Sequence, residues 1–188
     1  MLSCIRLPIR FDAQPLQADV TALPAEDWIP HFNSTLYEGD WSGVALRSVA
    51  GVARQIYPDP NPTDPFEDTE ILARCPAIAA AVAAFECEKL AVRLLRLGPG
   101  ASVREHTDYN LGYDDGEVRF HVPVFTNPAA VFELEGRHRE MQPGETWYLD
   151  FSLPHRVANG GDEPRVHLLI DCVVNDWVTE TLSAGEPG

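Results

Sequence analysis

From Leu90 onward the apolar residues recur with a period of two, and this rhythm restricts what the chain can fold into. In Val118-Arg119-Phe120-His121-Val122-Pro123-Val124, the residues Val118, Phe120, Val122 and Val124 share one face of an extended segment. Arg119, His121 and Pro123 share the other. Leu90, Val92 and Leu94 alternate in the same way with Ala91, Arg93 and Leu95 before the Gly98-Pro99-Gly100 turn. Further short strands are expected at Val131 to Leu134, Glu145 to Phe151 and Arg165 to Val174, separated by Glu135-Gly136, Pro143-Gly144 and Asn159-Gly160-Gly161. Many short strands at regular spacing specify a sandwich or barrel, and residues 90–175 fit an eight-strand, cupin-like jelly roll.

Ahead of that core the pattern is mixed. A helix is expected around Asp27-Trp28-Ile29, after Leu23-Pro24, because proline suits a first helical turn. Residues 57–66 carry four prolines and form an irregular loop, since proline removes donors and fixes φ. A second helix is expected from about Cys75 to Glu86, with Pro76 at its start and an alanine-rich run behind it. At 188 residues the chain is read as a single domain, 1–188, long enough to bury a core unaided. Residues 1–89 supply helices and covering strands, and 90–175 the jelly roll that carries the site.

The net charge of −15 opposes binding to phosphate backbones or anionic lipid, so neither nucleic acid nor membrane is an expected partner. Cys4, Cys75, Cys87 and Cys172 have no zinc-like spacing and read as reduced thiols. The first residues lack a secretory pattern, and the longest apolar stretch, Pro76 to Phe85, is about half a bilayer span. A soluble, cytoplasmic protein is expected.

Six residues in the β region bear on chemistry. His106 and Asp108 stand two apart on an extended segment and project to one side, and His155 follows 49 residues later. Two imidazoles and a carboxylate on one face leave three positions open on an octahedral metal, the arrangement of non-haem Fe(II) oxygenases. The same residues also fit a surface turn in which a neutral histidine bonds the nearby aspartate. Arg165 opens the last strong strand and shares a face with His167 and Leu169; an arginine there can grip a carboxylate with two hydrogen bonds. Arg119 and His121 form a polar stripe, costly inside a barrel unless it lines a ligand cavity. On pattern alone that stripe equally fits a solvated outer face.

Several motifs taken in order resemble the aspartyl/asparaginyl β-hydroxylase family of Fe(II)/2-oxoglutarate oxygenases. They are Leu97-Gly98-Pro99-Gly100, His106-Thr107-Asp108-Tyr109-Asn110, Arg119-Phe120-His121-Val122-Pro123, Pro143-Gly144-Glu145, Asp150 to Val157 and Arg165-Val166-His167-Leu168. Weaker likeness lies in Tyr37 to Trp41 and Leu46-Arg47-Ser48. The resemblance implies a double-stranded β-helix, iron ligands at His106, Asp108 and His155, and 2-oxoglutarate contacts at Arg119, His121 and Arg165. Asp108 places the chain with the bacterial branch, because the vertebrate enzyme lacks the carboxylate ligand. A serine that helps hold the cosubstrate there is matched by Leu95.

The implied activity is a dioxygenase that consumes O₂ and 2-oxoglutarate and hydroxylates an unactivated C–H bond of an amino acid, peptide or related small metabolite. Succinate and CO₂ are the co-products. Trp41, beside an irregular glycine-containing loop, and Asn110 are expected on the substrate side. Trp28, Trp147 and Trp177 read as packing aromatics, His31 and His138 as exposed, and Asp114-Asp115-Gly116-Glu117 as a solvated turn. The rival readings are a cosubstrate-independent cupin metalloenzyme and a jelly-roll binding module without turnover.

Overall fold

Helix α1 (Ala13–Ala22) starts where the Asp12 side chain accepts from the Gln14 N–H at 3.0 Å, and it stops at Leu23, the residue before a proline. It precedes the expected helix, which is only a single 3₁₀ turn at Ala25–Asp27. Trp28 there leaves the helical path and packs under the Arg96 guanidinium, 4.4 Å from the ring centroid. Helix α2 (Pro76–Ala83) has proline in its first turn as expected. It ends three residues early because Phe85 turns inward, fully buried 5.3 Å from Phe120. Helix α3 (Asp176–Ser183), which the sequence pattern did not announce, is capped by Asn175 accepting from the Val178 N–H at 2.9 Å.

The structure, a computed structural model, describes residues 3–57, 59 and 61–188. Met1, Leu2 and two of the loop prolines, Pro58 and Pro60, lie outside the described residues. The strands are β1 (Cys4–Arg10), β2 (Ile29–Pro30), β3 (Tyr37–Glu38), β4 (Trp41–Val49), β5 (Phe66–Asp68), β6 (Lys89–Leu97) and β7 (Ser102–His106). They continue as β8 (Glu117–Phe125), β9 (Ala130–Leu134), β10 (Arg137–His138), β11 (Glu145–Leu149), β12 (His155–Asn159), β13 (Arg165–Val173) and β14 (Glu186–Pro187). The larger sheet runs β14-β1-β11-β8-β13-β6-β4-β2 with β5 beside β4, and the smaller runs β10-β9-β12-β7-β3. Two facing antiparallel sheets of this order form a double-stranded β-helix.

The N-terminal strands are not a covering layer. β1 pairs with β11, and β4 pairs with β6 along most of its length, so both extend the larger sheet directly. Alternation then divides the two faces of β8 and β13. Val118, Phe120, Val122, Leu168 and Ile170 are fully or almost fully buried in a cluster with Leu16 of α1, Ile78 of α2 and Val178 of α3. Arg119, His121, Arg165 and Asp171 point the other way, into a cavity between the sheets. A one-residue slip would exchange these sets. The β11 entry depends on Gly144 at φ +80, where a Cβ would lie 2.1 Å from the Phe11 carbonyl oxygen. That carbonyl cannot retreat freely, because the Phe11 N–H donates to the Gly144 carbonyl at 2.8 Å.

Candidate metal and anion site

His106 ends β7 and His155 begins β12, and antiparallel pairing sets the two directly opposite each other. The His106 Nδ1 lies 2.8 Å from the Arg104 carbonyl and the His155 Nδ1 lies 2.9 Å from the Leu153 carbonyl. A carbonyl only accepts, so both Nδ1 atoms carry the proton and both Nε2 atoms keep a lone pair for a metal. Asp108 follows β7 in a loop tied by its N–H to the Phe151 carbonyl at 2.8 Å. Its Oδ1 stands 3.6 Å from the His106 Nε2. Ligand atoms of the three residues all lie within 4.8 Å of one another. Burial pushes the His155 imidazole down to about 4, leaving it neutral and able to ligate at neutral pH. For Asp108, burial alone would raise the carboxyl, but the Arg119 guanidinium outweighs it and holds it ionised.

Behind the triad lies a buried ionic network. Arg119 donates from Nε to Asp171 Oδ1 at 2.6 Å, from Nη2 to Asp171 Oδ2 at 3.0 Å, and from Nη1 to Asp108 Oδ2. These bonds take three of its five N–H groups. Arg93 adds Nη1 to Asp171 Oδ2 at 3.1 Å. Burial disfavours the charge on Arg119, yet Asp171 and Asp108 keep it charged; burial likewise opposes ionisation of Asp171, yet Arg119 and Arg93 lower its pKa. Arg119 therefore reaches the cavity already committed to two carboxylates, one of them in the triad.

Arg165 differs. It is 7% exposed, and no carboxylate among the described residues lies within ion-pair distance. Burial pushes its guanidinium down to about 9. Its Nη2 donates to His167 Nδ1 at 3.0 Å, and that nitrogen also lies 3.3 Å from His121 Nδ1. His121 stacks on Phe151 at 4.9 Å, and its Nε2 is buried with no hydrogen-bond partner. A buried cation lacking an anion, beside an orphaned imidazole nitrogen, is a site that an anionic ligand completes. Arg165, His121, Phe151 and the triad line one cavity of about 560 Å³.

Trp41 and Asn110 both stand on that cavity wall. Asn110 is exposed at φ +55 in the loop after Asp108. Trp41 stacks on His31 with centroids 3.5 Å apart. His31 is thus not the exposed residue expected: it is half-buried between Trp41 and Phe32, and burial, then Arg93, push it down to about 3. Asp114 and Asp115 are solvated as expected, but Glu117 turns onto the cavity wall. Asp171 and Arg93 escaped notice because each is a lone charge inside an apolar strand. That oddity was itself the available signal, since a buried charge requires a partner.

Asp171→Asn is expected to cost about 3–5 kcal/mol by leaving the buried Arg93 guanidinium without a carboxylate and Arg119 with Asp108 alone. For a chain this size that lowers Tm by roughly 6–20 °C in scanning calorimetry at pH 7. The folded-state pKa of Asp171 is depressed, so its contribution is complete above about pH 4 and fades as pH falls through the folded value. The variant and parent should converge in acid. A loss below about 1 kcal/mol at pH 7 would sink this account of the network.

The chain is similar to known proteins in sequence and in fold. An L-proline cis-4-hydroxylase from Rhizobium meliloti (strain 1021) is 27% identical over 176 residues, covering 87% of this chain; the chain spans 58% of that relative's length. Among solved structures, a prolyl-4-hydroxylase from Pseudomonas putida matches in fold with a TM-score of 0.55 at 16% identity, over 93% of this chain and 94% of that one. An oxidoreductase of the 2OG-Fe(II) oxygenase family from Burkholderia pseudomallei matches with a TM-score of 0.55 at 16% identity, over 93% and 88%. The family model for aspartyl/asparaginyl β-hydroxylases matches residues 10–174, which include the triad, the ionic network and Arg165, and the chain belongs to that family.

Proposed function

We propose that this chain is an Fe(II)- and 2-oxoglutarate-dependent dioxygenase that hydroxylates an unactivated C–H bond of an amino acid, peptide or related small metabolite. The observation that carries the reading is the pairing, in one cavity, of a His-Asp-His triad with a buried arginine that has no counter-charge among the described residues. His106, Asp108 and His155 would hold the metal. Arg165 and His121 would receive the cosubstrate, a dicarboxylate whose far end needs a fixed cation in a water-poor site. Leu95, where the vertebrate enzyme has serine, lines the same cavity and leaves that grip to Arg165. When bound, the two cofactors supply the oxidising equivalent from O₂ for C–H cleavage, with succinate and CO₂ as co-products.

The chain's own residues shape the reaction. Arg119 keeps Asp108 ionised and turned toward the histidines. Phe132 and Phe151 close the cavity around the imidazoles and keep water from them. Trp41 and His31 form a flat, neutral wall against which a small substrate packs. The relative named for L-proline supports a small amino acid as substrate.

Succinate should form only when chain, Fe(II) and 2-oxoglutarate are all present; metal-dependent turnover without 2-oxoglutarate would favour the cupin alternative instead. A second outcome is thermal. Mn(II) with 2-oxoglutarate at about 100 times its Kd should stabilise the protein by about 2.7 kcal/mol. That raises Tm by roughly 5–11 °C. No shift in Tm, together with no succinate, would overturn the reading.

A further inference from the structure

His167 has no task in the function proposed above, although both residues assigned there to the cosubstrate meet it. It is 1% exposed on β13 and stands behind the cavity wall rather than on it. Its Nδ1 atom faces the Arg165 Nη2 group at 3.0 Å and the His121 Nδ1 atom at 3.3 Å. A guanidinium only donates, so His167 Nδ1 carries no proton and turns one lone pair to both neighbours. Burial, with Arg165 beside it, keeps the His167 ring uncharged, which leaves its single proton on Nε2. The His121 Nδ1 atom must then supply the proton of their contact, because two bare nitrogens would set lone pairs against each other. Burial, again with Arg165 nearby, keeps His121 neutral as well. Its Nε2 atom is therefore an acceptor, buried and without a donor among the described residues.

A bare acceptor is the wrong partner for a carboxylate. Moving the His121 proton across to Nε2 would bare Nδ1 against His167, and turning His167 away would break the Arg165 bond. Adding a proton breaks neither. The charges agree: Arg93, Arg119 and Arg165 line the cavity against Asp59, Asp108, Glu117 and Asp171, three against four, a net of −1. A dication and a dianionic cosubstrate cancel, so one more positive charge brings the filled cavity to neutrality. Around His121 stand Arg119 on β8, Arg165, His167 and Asp171 on β13, Arg93 on β6 and His155 on β12. Glu145 on β11 is already taken by Trp147, Arg6 and Arg10. We infer that His167 is a positioning residue, holding Arg165 and fixing the His121 proton on Nδ1, and that His121 takes up one proton at Nε2 when the cosubstrate binds. That proton comes from solvent and forms one N–H bond; 2-oxoglutarate, already a dianion at pH 7, brings none. The inference rests on the dioxygenase reading and adds a proton-linked affinity to it.

The test titrates 2-oxoglutarate into the intact Mn(II)-loaded protein by calorimetry at pH 7, in buffers of different ionisation enthalpy. The dependence of the heat on the buffer counts the protons bound with the ligand, and about 0.5 to 1 is expected. Across higher pH the Kd should rise, about tenfold per unit wherever a full proton is taken up. His121→Gln, whose amide donates without a charge, should bind with no proton uptake. In His167→Phe the freed His121 can place its own proton on Nε2, so the uptake should vanish there too, whereas a purely structural loss would weaken binding and leave the count unchanged. Should either variant fail to fold, ¹⁵N spectra of the Zn(II)-loaded parent decide: the His121 ring should carry its proton on Nδ1 when empty and on both nitrogens when 2-oxoglutarate is bound. A parent that binds 2-oxoglutarate with no proton uptake, uptake that persists in His121→Gln, a His167→Phe protein with the parent's count, or an empty His121 ring protonated on Nε2 would each overturn the inference and leave the dioxygenase reading standing. A parent that does not bind 2-oxoglutarate overturns both together.

Discussion

Asp108→Ala is expected to weaken divalent-metal binding by more than about 100-fold, beyond the 10–100-fold typical of changes behind a metal's ligands. Two effects add. One is the loss of an oxygen donor and a negative charge. The other arises because Asp108 Oδ2 accepts from Arg119 Nη1 while its Oδ1 lies 3.6 Å from His106 Nε2, so the carboxylate would screen a bound metal from the guanidinium. Without the carboxylate, a buried guanidinium faces the dication across a low-dielectric cavity, and like charges repel strongly there. Removing that guanidinium as well should therefore restore part of the affinity: Asp108→Ala/Arg119→Met should bind Mn(II) more tightly than Asp108→Ala alone. Calorimetric Mn(II) titration on folded protein measures this, with circular dichroism as the check on folding. Metal affinity within tenfold of the parent in Asp108→Ala would remove Asp108 from the ligand set. A double variant no better than the single would remove the repulsive role of Arg119.

Arg165→Lys should raise the 2-oxoglutarate KM by roughly 30- to 1,000-fold, corresponding to about 2–4 kcal/mol from a broken buried charge pair. Lysine keeps the charge but has neither the planar fork nor the reach to donate twice to one carboxylate. It would also have to hold an ammonium, more strongly hydrated than a guanidinium, where Arg165 is 7% exposed and no carboxylate among the described residues balances it. Mn(II) affinity should be unchanged, because the triad lies on β7, the following loop and β12 and is not touched. A KM within about twofold of the parent, a difference of only about 0.4 kcal/mol, would end the dicarboxylate reading at its central residue.

The strands were legible because a half-buried sheet writes its register into the sequence. Val118, Phe120 and Val122 against Arg119 and His121 gave both the element and the direction of each face. Helix α1 was not legible: Asp12 is a proper cap, but Pro15 sits within its first turns and only Leu16 and Val20 are buried on its inner side. The apolar stripe is too thin to announce a helix. Trp28 looked helical because proline precedes it, yet its contact with Arg96, on another strand, decides its place. Within the site, the spacing of His106 and Asp108 was enough to bring them together. The coupling of Arg119 to Asp171 and Arg93 was not, because it depends on cross-strand neighbours: Asp171 stands opposite Arg119, and Arg93 opposite Leu169. Such pairings become visible only when the sheet order is known. His31 was misplaced for the same reason, since its partner Trp41 lies across the β2–β4 turn region.

The placement of β1 between β11 and β14 also fixes an order of events during synthesis. The first strand emerges from the ribosome with Ile5 and Leu7 bound for the core, but its hydrogen-bonding partners are Glu145 to Leu149 and the Glu186–Pro187 strand. At about 5–20 residues per second, some 140 residues of further translation hold that edge unpaired for roughly 7–30 s. Non-local pairing of this kind slows folding and leaves an apolar strand open to wrong partners meanwhile. His155 arrives only a few residues after β11. The nascent chain therefore gains a seat for its first strand and the last member of its His-Asp-His group at nearly the same moment, and a polypeptide released before Glu145 would hold His106 and Asp108 without either.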